Sequence, residues 1–242
     1  RRLHGPRGAL YSSAVLGAGL LYFAVGRINI IDMTLSFFMT LSFIGLWFAV
    51  RDGERARLAP VLLFHAGMAL AVLSKGLVGV VLPVVVLGAY ALVVRDSSPI
   101  RRALDWRGVA LFFALTVPWF FEVCRRNPDF FHFFFVQEHF LRYATRMHGR
   151  YEPHWFFIPI LLVGLIPWTG LLPGALASAF PRPLRNLGRE KKDELFHLLW
   201  FGVIFVFFSL SSSKLVPYIV PALPPLAILM GGYLARCVEE ED

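Results

Sequence analysis

The chain has 242 residues, of which 57% are hydrophobic and only 17% are charged, and its mean hydropathy is +0.63. Soluble domains carry roughly a quarter charged residues, so a soluble protein of this size could not bury so much apolar surface. The composition therefore predicts an integral membrane protein. The net charge of +8 does not indicate a nucleic-acid partner, because basic residues do not form a stripe with interleaved aromatics on a soluble face.

The apolar residues fall into runs that approach the ~20 residues needed to cross a bilayer core of ~30 Å. We expect an all-α membrane protein, a polytopic bundle of about eight transmembrane helices, in one domain over 1–242 that is truncated at its N-terminus and at its C-terminus. Two of the runs, 59–73 and 195–210, are short. In chain order the runs are 9–26, 33–50, 59–73, 76–94, 108–124, 155–178, 195–210 and 215–236.

Alternating eight helices across the membrane sorts the basic residues unequally. One side receives 16 of the 24 Lys and Arg residues, which makes it cytoplasmic by the positive-inside rule. The remaining eight lie on the outer side, at Arg27, Lys75, Lys214 and in the long outer loop 125–154. Basic residues there run against the insertion bias, so we expect them to meet a negatively charged ligand.

Asp32 lies in RINIIDMTL, where one helix arrives at the outer side and the next begins. A carboxylate near a helix N-terminus gains from the helix dipole, so a capping role is one interpretation. The other is an active-site acid. Lys75, in LSKGLVGVVLP, ends a helix before Gly76, which permits a tight reversal. It either snorkels to the surface or binds a phosphate there.

The outer loop 125–154 is rich in His, Arg and Phe. A helix over 129–147 would place His132, His139 and Arg142 on one face and phenylalanines on the rest. We expect this amphipathic helix to lie in the membrane interface, either as a plain anchor or as a shelf that holds a lipid phosphate with Arg142. Glu138 beside His139 could ligate a divalent metal, but adjacent helical residues point about 100° apart, which weakens that signal.

The segment SSSKLVPYIVPALPPLAILMGGYLA, residues 211–235, is apolar yet carries four prolines. Proline cannot donate a backbone hydrogen bond, and freed carbonyls at membrane depth are tolerated only against protein or a wet cavity. We therefore expect this helix to lie inside the bundle, with Lys214 and Tyr218 near the rim of a cavity. A kinked structural helix with a snorkelling lysine is the alternative.

SSSKLVPYIVPALPPLAIL resembles the S-x-x-K-x-x-x-Y-x-x-P-x-x-P signature of bacterial GT-C glycosyltransferases, the lipid A aminoarabinose transferases and the related protein O-mannosyltransferases. QEHFLRY, LSKGLVG and the aspartate of NIIDMTLSFF match other segments of that family in the same order. The resemblance covers nearly the whole chain. It implies a multi-pass inner-membrane enzyme that takes a sugar from a polyprenyl-phosphate donor on the periplasmic face and passes it, with inversion, to an acceptor.

The same resemblance assigns roles to individual residues. Asp32 matches the second active-site acid of the family. Lys75 and Arg142 match cations near the lipid-linked phosphate, and Lys214 and Tyr218 of the signature are grouped with them. The leading catalytic acid of the family, the general base, lies upstream of the first residue of this chain, so we expect the fragment alone to be inactive.

The resemblance also suggests a cofactor, because Glu138 and His139 match a segment where some members place a metal ligand. The expected partners are the bilayer, the polyprenyl-phosphate sugar and a lipid A-like or protein acceptor. A nucleotide-sugar donor is not indicated, because the chain lacks the GxGxxG and P-loop patterns.

Three functions remain open at this stage. The first is a glycosyltransferase acting on lipid A or another lipopolysaccharide-like envelope glycolipid. The second is a protein O-mannosyltransferase. The third is a transporter or flippase that binds lipid-linked sugars without chemistry. Cations at a partly dry surface would stabilise the charge that develops on a departing polyprenyl phosphate, and a carboxylate would act on the acceptor hydroxyl, which together favour an enzyme.

Overall fold

A computed structural model describes residues 3–28, 30–51, 58–134, 152–180 and 191–241. These residues form helices and connecting segments without a strand, which confirms the predicted all-α class. The α-helices are α1 (Gly5–Ala18), α2 (Leu20–Arg27), α3 (Ile31–Arg51), α4 (Leu58–Lys75), α5 (Val78–Val94), α6 (Ser98–Ala103), α7 (Trp106–Arg126), α8 (Phe157–Gly164), α9 (Leu172–Ala179), α10 (Lys192–Leu210) and α11 (Leu223–Glu241). Two 3-10 helices lie at Trp168–Leu171 and Val216–Ala222.

Each predicted apolar run coincides with helical structure, although the runs differ in form. Within the described ranges, five helical segments are long and apolar enough to cross a bilayer, and α5 is a shorter apolar helix. Two further runs are broken: α1 and α2 meet at 60°, and α8 meets the segment Trp168–Ala179 at 108°. Hydrophobicity along the chain does not predict these bends, because a broken run is as apolar as a straight one.

The two breaks lie against each other, with Gly19 and Gly164 buried at the contact. The Leu20 amide, at the first residue of α2, donates to the Ile166 carbonyl just after α8, at 3.0 Å. A Cβ added to Gly164 would lie 2.7 Å from the Leu21 Cβ, so only glycine lets the segments approach this closely. The break between α1 and α2 therefore supplies a donor, the Leu20 amide, to a carbonyl at the other break that lies outside the helices. Backbone groups in a membrane protein need such partners.

Helices α3 and α4 run antiparallel in close contact. A Cβ on Gly45 would lie 2.4 Å from the Phe64 amide nitrogen, and one on Gly67 would lie 2.6 Å from the Ser42 amide nitrogen. The Ser42 hydroxyl also donates to the Phe64 carbonyl at 3.0 Å. Small residues at helix interfaces allow such packing within membranes. The start of α3 is consequently held beside the end of α4.

The proline-rich segment lies in the interior, as expected. It begins as the 3-10 helix Val216–Ala222 and continues as α11, and residues 218–227 are all buried. Pro224 and Pro225 fall in the first turn of α11, where their missing N–H groups have no intrahelical partner to lose. In contrast, α7 exposes most of its surface, including Trp106 and Phe121, and lies at the bundle edge.

The bundle has two ends, which we name after one residue each. The Asp32 end comprises the α2–α3 and α4–α5 connections, residues 152–156 and the link 211–215 between α10 and the 3-10 helix. The Asp193 end comprises the start of α1, the end of α3 and the start of α10. Of the predicted interfacial helix 129–147, the helical turn at 130–134 is described, and the remainder lies outside the described residues.

Candidate functional site

Asp32 and Lys75 form an ion pair at the Asp32 end. Asp32 lies in the first turn of α3, and Lys75 is the last residue of α4. The Lys75 ammonium donates to Asp32 Oδ1, with only 24% and 12% of the two side chains exposed. Gly76 follows with φ of +90°, a left-handed conformation that glycine adopts without strain, and it turns the chain directly into α5.

Tyr218 completes a three-residue cluster with this pair. The Lys75 Nζ lies 4.3 Å from the centroid of the Tyr218 ring, within the range of a cation–π interaction. Tyr218 is buried and packs against Phe208, with ring centroids 5.4 Å apart. The structure thus brings together three of the predicted site residues, Asp32, Lys75 and Tyr218, which come from three separate elements.

Lys214 lies at the same end but has different partners. Its side chain is buried, and Nζ donates to the backbone carbonyls of Glu152 at 2.8 Å and Ser211 at 2.6 Å. Burial lowers the pKa of the Lys214 ammonium, and the nearby Glu152 carboxylate partly offsets this effect. Lys214 therefore joins two backbone segments, an arrangement that the sequence pattern did not predict.

Sequence reasoning also missed polar groups around Lys214. His154 Nδ1 lies 3.0 Å from the Ser209 carbonyl, and the Ser211 hydroxyl donates to the Ser213 carbonyl at 3.0 Å. The Ser209 and Ser213 hydroxyls are buried and have no hydrogen-bond partner among the residues that the structure describes. The run of three serines before Lys214 was the available signal, since hydroxyls next to a buried cation indicate a polar pocket inside an apolar bundle.

Arg142, Glu138 and His139 lie outside the described residues, so their predicted roles stay predictions. Within the described ranges, His, Cys, Asp and Glu side chains do not form a group of three or more that could hold a metal ion. The chemistry that the described cluster offers is electrostatic, with an ammonium and an aromatic ring beside a carboxylate. Such a set can bind an anionic group and act on a hydroxyl proton.

A separate cavity of ≈ 400 Å³ lies toward the Asp193 end. Aromatic residues including Phe43, Trp47 and Trp200 line it, together with His4 and His197. None of the Asp32 cluster contributes to its wall. We place the candidate site at the Asp32 end, because a buried ion pair is costly without a function, whereas this cavity is lined mainly by apolar side chains.

These helices and the buried charges at one end of the bundle define a multi-pass helical membrane protein. A family model described as "Dolichyl-phosphate-mannose-protein mannosyltransferase" matches residues 5–134, a span that contains both Asp32 and Lys75. The chain belongs to this family. This result confirms the resemblance to membrane glycosyltransferases that the sequence motifs indicated.

Two curated relatives show the extent of the similarity. The chain is 33% identical over 236 residues to undecaprenyl phosphate-alpha-4-amino-4-deoxy-L-arabinose arabinosyl transferase 2 of Proteus mirabilis, which covers 96% of this chain and 41% of the relative. It is 36% identical to the arabinosyl transferase of Pseudomonas aeruginosa, with 98% and 42% covered. The chain thus spans about two fifths of the length of the curated relatives it matches.

Solved structures give the same result for the fold. The crystal structure of ArnT from Cupriavidus metallidurans bound to undecaprenyl phosphate matches with a TM-score of 0.88 at 36% sequence identity, over 98% of this chain and 42% of that one. Its apo state matches with a TM-score of 0.84. The arrangement of helices described above is therefore that of an experimentally determined membrane transferase.

Proposed function

We propose that this chain is part of a membrane glycosyltransferase that moves a sugar from a polyprenyl-phosphate donor to lipid A or another envelope acceptor. The observation that carries the proposal is the Asp32–Lys75–Tyr218 cluster in a chain of this family. The curated relatives support the donor class, since their names specify undecaprenyl phosphate and an aminoarabinose group. Lipid A as the acceptor is the finer part of the proposal.

The cluster suits the chemistry of such a transfer. The leaving group is a polyprenyl phosphate, which gains negative charge as its bond to the anomeric carbon breaks. A preorganised ammonium such as Lys75, in a partly dry site, stabilises that charge strongly. Tyr218 holds the ammonium in place, and we assign Arg142, from the outer loop, to the same phosphate. A direct displacement by the acceptor hydroxyl inverts the anomeric centre.

Asp32 is proposed as an active-site acid, and the Lys75 ammonium donates a hydrogen bond to its carboxylate. The general base that takes the acceptor proton is proposed to lie outside this chain, so these 242 residues alone would be inactive. We further propose that 1–242 forms one transmembrane unit of a longer protein. Glu138 and His139 remain proposed ligands of a divalent metal in the outer loop. Lys214 is not assigned to the phosphate, because its described partners are carbonyl oxygens.

The Asp32 end is proposed to face the periplasm from the inner membrane. The positive-inside count favours this orientation, since the loops at the other end carry most of the basic residues. A protein acceptor is the second candidate, favoured by the family description, which names a protein mannosyltransferase. A transporter of lipid-linked sugars would not need a catalytic acid beside the phosphate-binding cation.

The test uses the full-length protein reconstituted with a polyprenyl-phosphate sugar and with lipid A or a peptide as acceptor. Mass spectrometry of each acceptor identifies the product. We expect glycosylated lipid A from the wild type and at least about a 100-fold lower rate from Lys75→Ala and Arg142→Ala. Arg107→Ala, an exposed arginine after the start of α7, is the matched control and should retain activity. Wild-type rates in both site variants would refute the site assignment.

A further inference from the structure

The link between α10 and the 3-10 helix Val216–Ala222 is irregular backbone, buried at one end of the bundle. Residues 211–215 lie outside the helices, yet Ser211, Ser213 and Lys214 are all buried. Backbone carbonyls in such a place must find donors, because an unpaired buried carbonyl is strongly destabilising. The donors that they find decide how this link is held.

Side chains supply these donors from two directions. Lys214 Nζ donates to Ser211 O at 2.6 Å within the link and to Glu152 O at 2.8 Å across the bundle end. His154 Nδ1 lies 3.0 Å from Ser209 O, at the end of α10. We call this set the Lys214 anchor: two contacts that tie residues 152–154 to residues 209–214.

The anchor is continuous with the proposed site. The 3-10 helix begins two residues after Lys214, and its Tyr218 ring contacts the Lys75 ammonium, which in turn pairs with Asp32. A 3-10 helix of seven residues is short and has weak internal hydrogen bonds. The anchor holds the link that leads directly into this helix.

Burying the Lys214 ammonium costs free energy, which other interactions must offset. A buried ammonium loses its hydration, and hydrogen bonds from a cation to carbonyl dipoles compensate for that loss. Lys214 makes two such hydrogen bonds to backbone carbonyls, those of Ser211 and Glu152. Both bonds require a specific position of the ammonium. A phosphate ligand would have to compete with both carbonyls for the same ammonium.

We infer that Lys214 is a positioning residue that fixes the backbone carrying Tyr218 to residues 152–154, and so sets the position of the Lys75 ammonium for the donor phosphate. This inference rests on the proposed function for its catalytic meaning. It assigns Lys214 to the support of the phosphate site, in place of direct contact with the lipid phosphate.

The test compares four variants of the full-length protein in nanodiscs, one of which, Lys214→Arg, keeps the hydrogen-bond donors. Lys214→Met keeps the side-chain length and removes the ammonium. His154→Phe removes the second contact of the anchor. Because the His154 side chain is exposed, this variant should fold even if Lys214→Met does not. Lys191→Met is the matched control, since the Lys191 ammonium also donates to a backbone carbonyl, that of Ser178, but at the Asp193 end.

Hydrogen exchange is measured over 152–158 and 209–218, and transfer is measured with a polyprenyl-phosphate sugar. We expect exchange in both segments to rise about tenfold or more in Lys214→Met and less in His154→Phe. In Lys214→Met, the transfer rate at saturating donor should also fall about tenfold. Lys191→Met should leave both readouts unchanged, and Lys214→Arg, which keeps the donors, should restore part of the loss.

Two results would overturn the inference. Unchanged exchange with a greatly raised KM for the donor would mean that Lys214 contacts the phosphate directly. Raised exchange with an unchanged transfer rate would mean that the anchor does not position the site. A wild-type protein without any transfer activity would instead refute the proposed function, and the exchange measurements would still decide whether the anchor exists.

Discussion

The two ends of the bundle hold their charges in different ways. At the Asp32 end, the Asp32–Lys75 pair and Lys214 are largely withdrawn from solvent. At the Asp193 end, the Arg51–Asp193 pair is 3.5 Å apart, with 33% and 29% of the side chains exposed. The Trp47 indole donates to Asp193 at 2.9 Å, and the Arg51 guanidinium lies 4.7 Å from the Trp47 ring.

This difference separates two uses of charge. Partly exposed ion pairs contribute little free energy, and at the Asp193 end the Arg51–Asp193 pair joins the end of α3 to the start of α10. Burying an ammonium and a carboxylate requires good geometry to offset lost hydration, and such groups cluster at functional sites. The contrast between the ends therefore supports the proposal that the site lies at the Asp32 end.

The sharpest test of the contrast exchanges the two charges of the buried pair. Asp32→Asn and Lys75→Met are each expected to lower transfer by at least about 100-fold. The double variant Asp32→Lys with Lys75→Asp restores an ion pair, so we expect it to regain thermal stability over the single variants while transfer stays lost. Thermal unfolding and a transfer assay on the full-length protein measure the two quantities.

The control for this exchange is Arg51→Met at the Asp193 end, which should keep transfer within about threefold of the wild type. Recovery of transfer in the exchanged double variant would show that pairing alone matters. In that case the Asp32–Lys75 pair would have only a structural role, like the Arg51–Asp193 pair at the other end.

A smaller effect is expected where α3 and α4 cross between the ends. A Cβ at Gly67 would lie 2.6 Å from Ser42 N and 2.9 Å from Phe38 O. Gly67→Ala should therefore separate the helices and destabilise the protein by about 1–3 kcal/mol. Thermal unfolding in detergent measures the change, and transfer should fall as well because Asp32 and Lys75 are carried by these two helices.

Gly88→Ala in α5 is the matched control, because among the described residues a Cβ there meets no heavy atom within 4 Å outside the backbone of its own helix. Alanine is favoured over glycine inside a helix by about 0.5–1 kcal/mol, so this variant should be slightly more stable than the wild type. Equal stability losses at both positions would contradict the close-packing explanation.

The smallest effect is expected at the Asp193 end itself. Trp47→Phe removes the indole donor and leaves Asp193 paired with Arg51, so we expect a loss of about 1 kcal/mol in unfolding free energy and an unchanged transfer rate. Trp106→Phe, at a side chain that is 74% exposed, should change neither quantity. A large loss of transfer in Trp47→Phe would show that the two ends are coupled.

Much of the fold was predictable from the sequence. The length and apolarity of the runs indicated the helices, because a bilayer demands about the same length and apolarity of every spanning segment. The same reasoning singled out Asp32, Lys75 and Tyr218 as unusual, since charged or polar residues at the ends of apolar runs need partners. It also placed the proline-rich segment inside the bundle.

The tertiary structure alone decided which of these residues meet. Asp32 and Lys75 are separated by 43 positions, and Lys214 and Glu152 by 62. Their contacts depend on the close approach of α3 to α4 and on the position of the end of α10. The pattern of hydrophobic residues along the chain predicts neither of these. The bends between α1 and α2 and around α8 likewise bring together the Leu20 amide and the Ile166 carbonyl, a contact between distant segments that leaves no mark on local hydrophobicity.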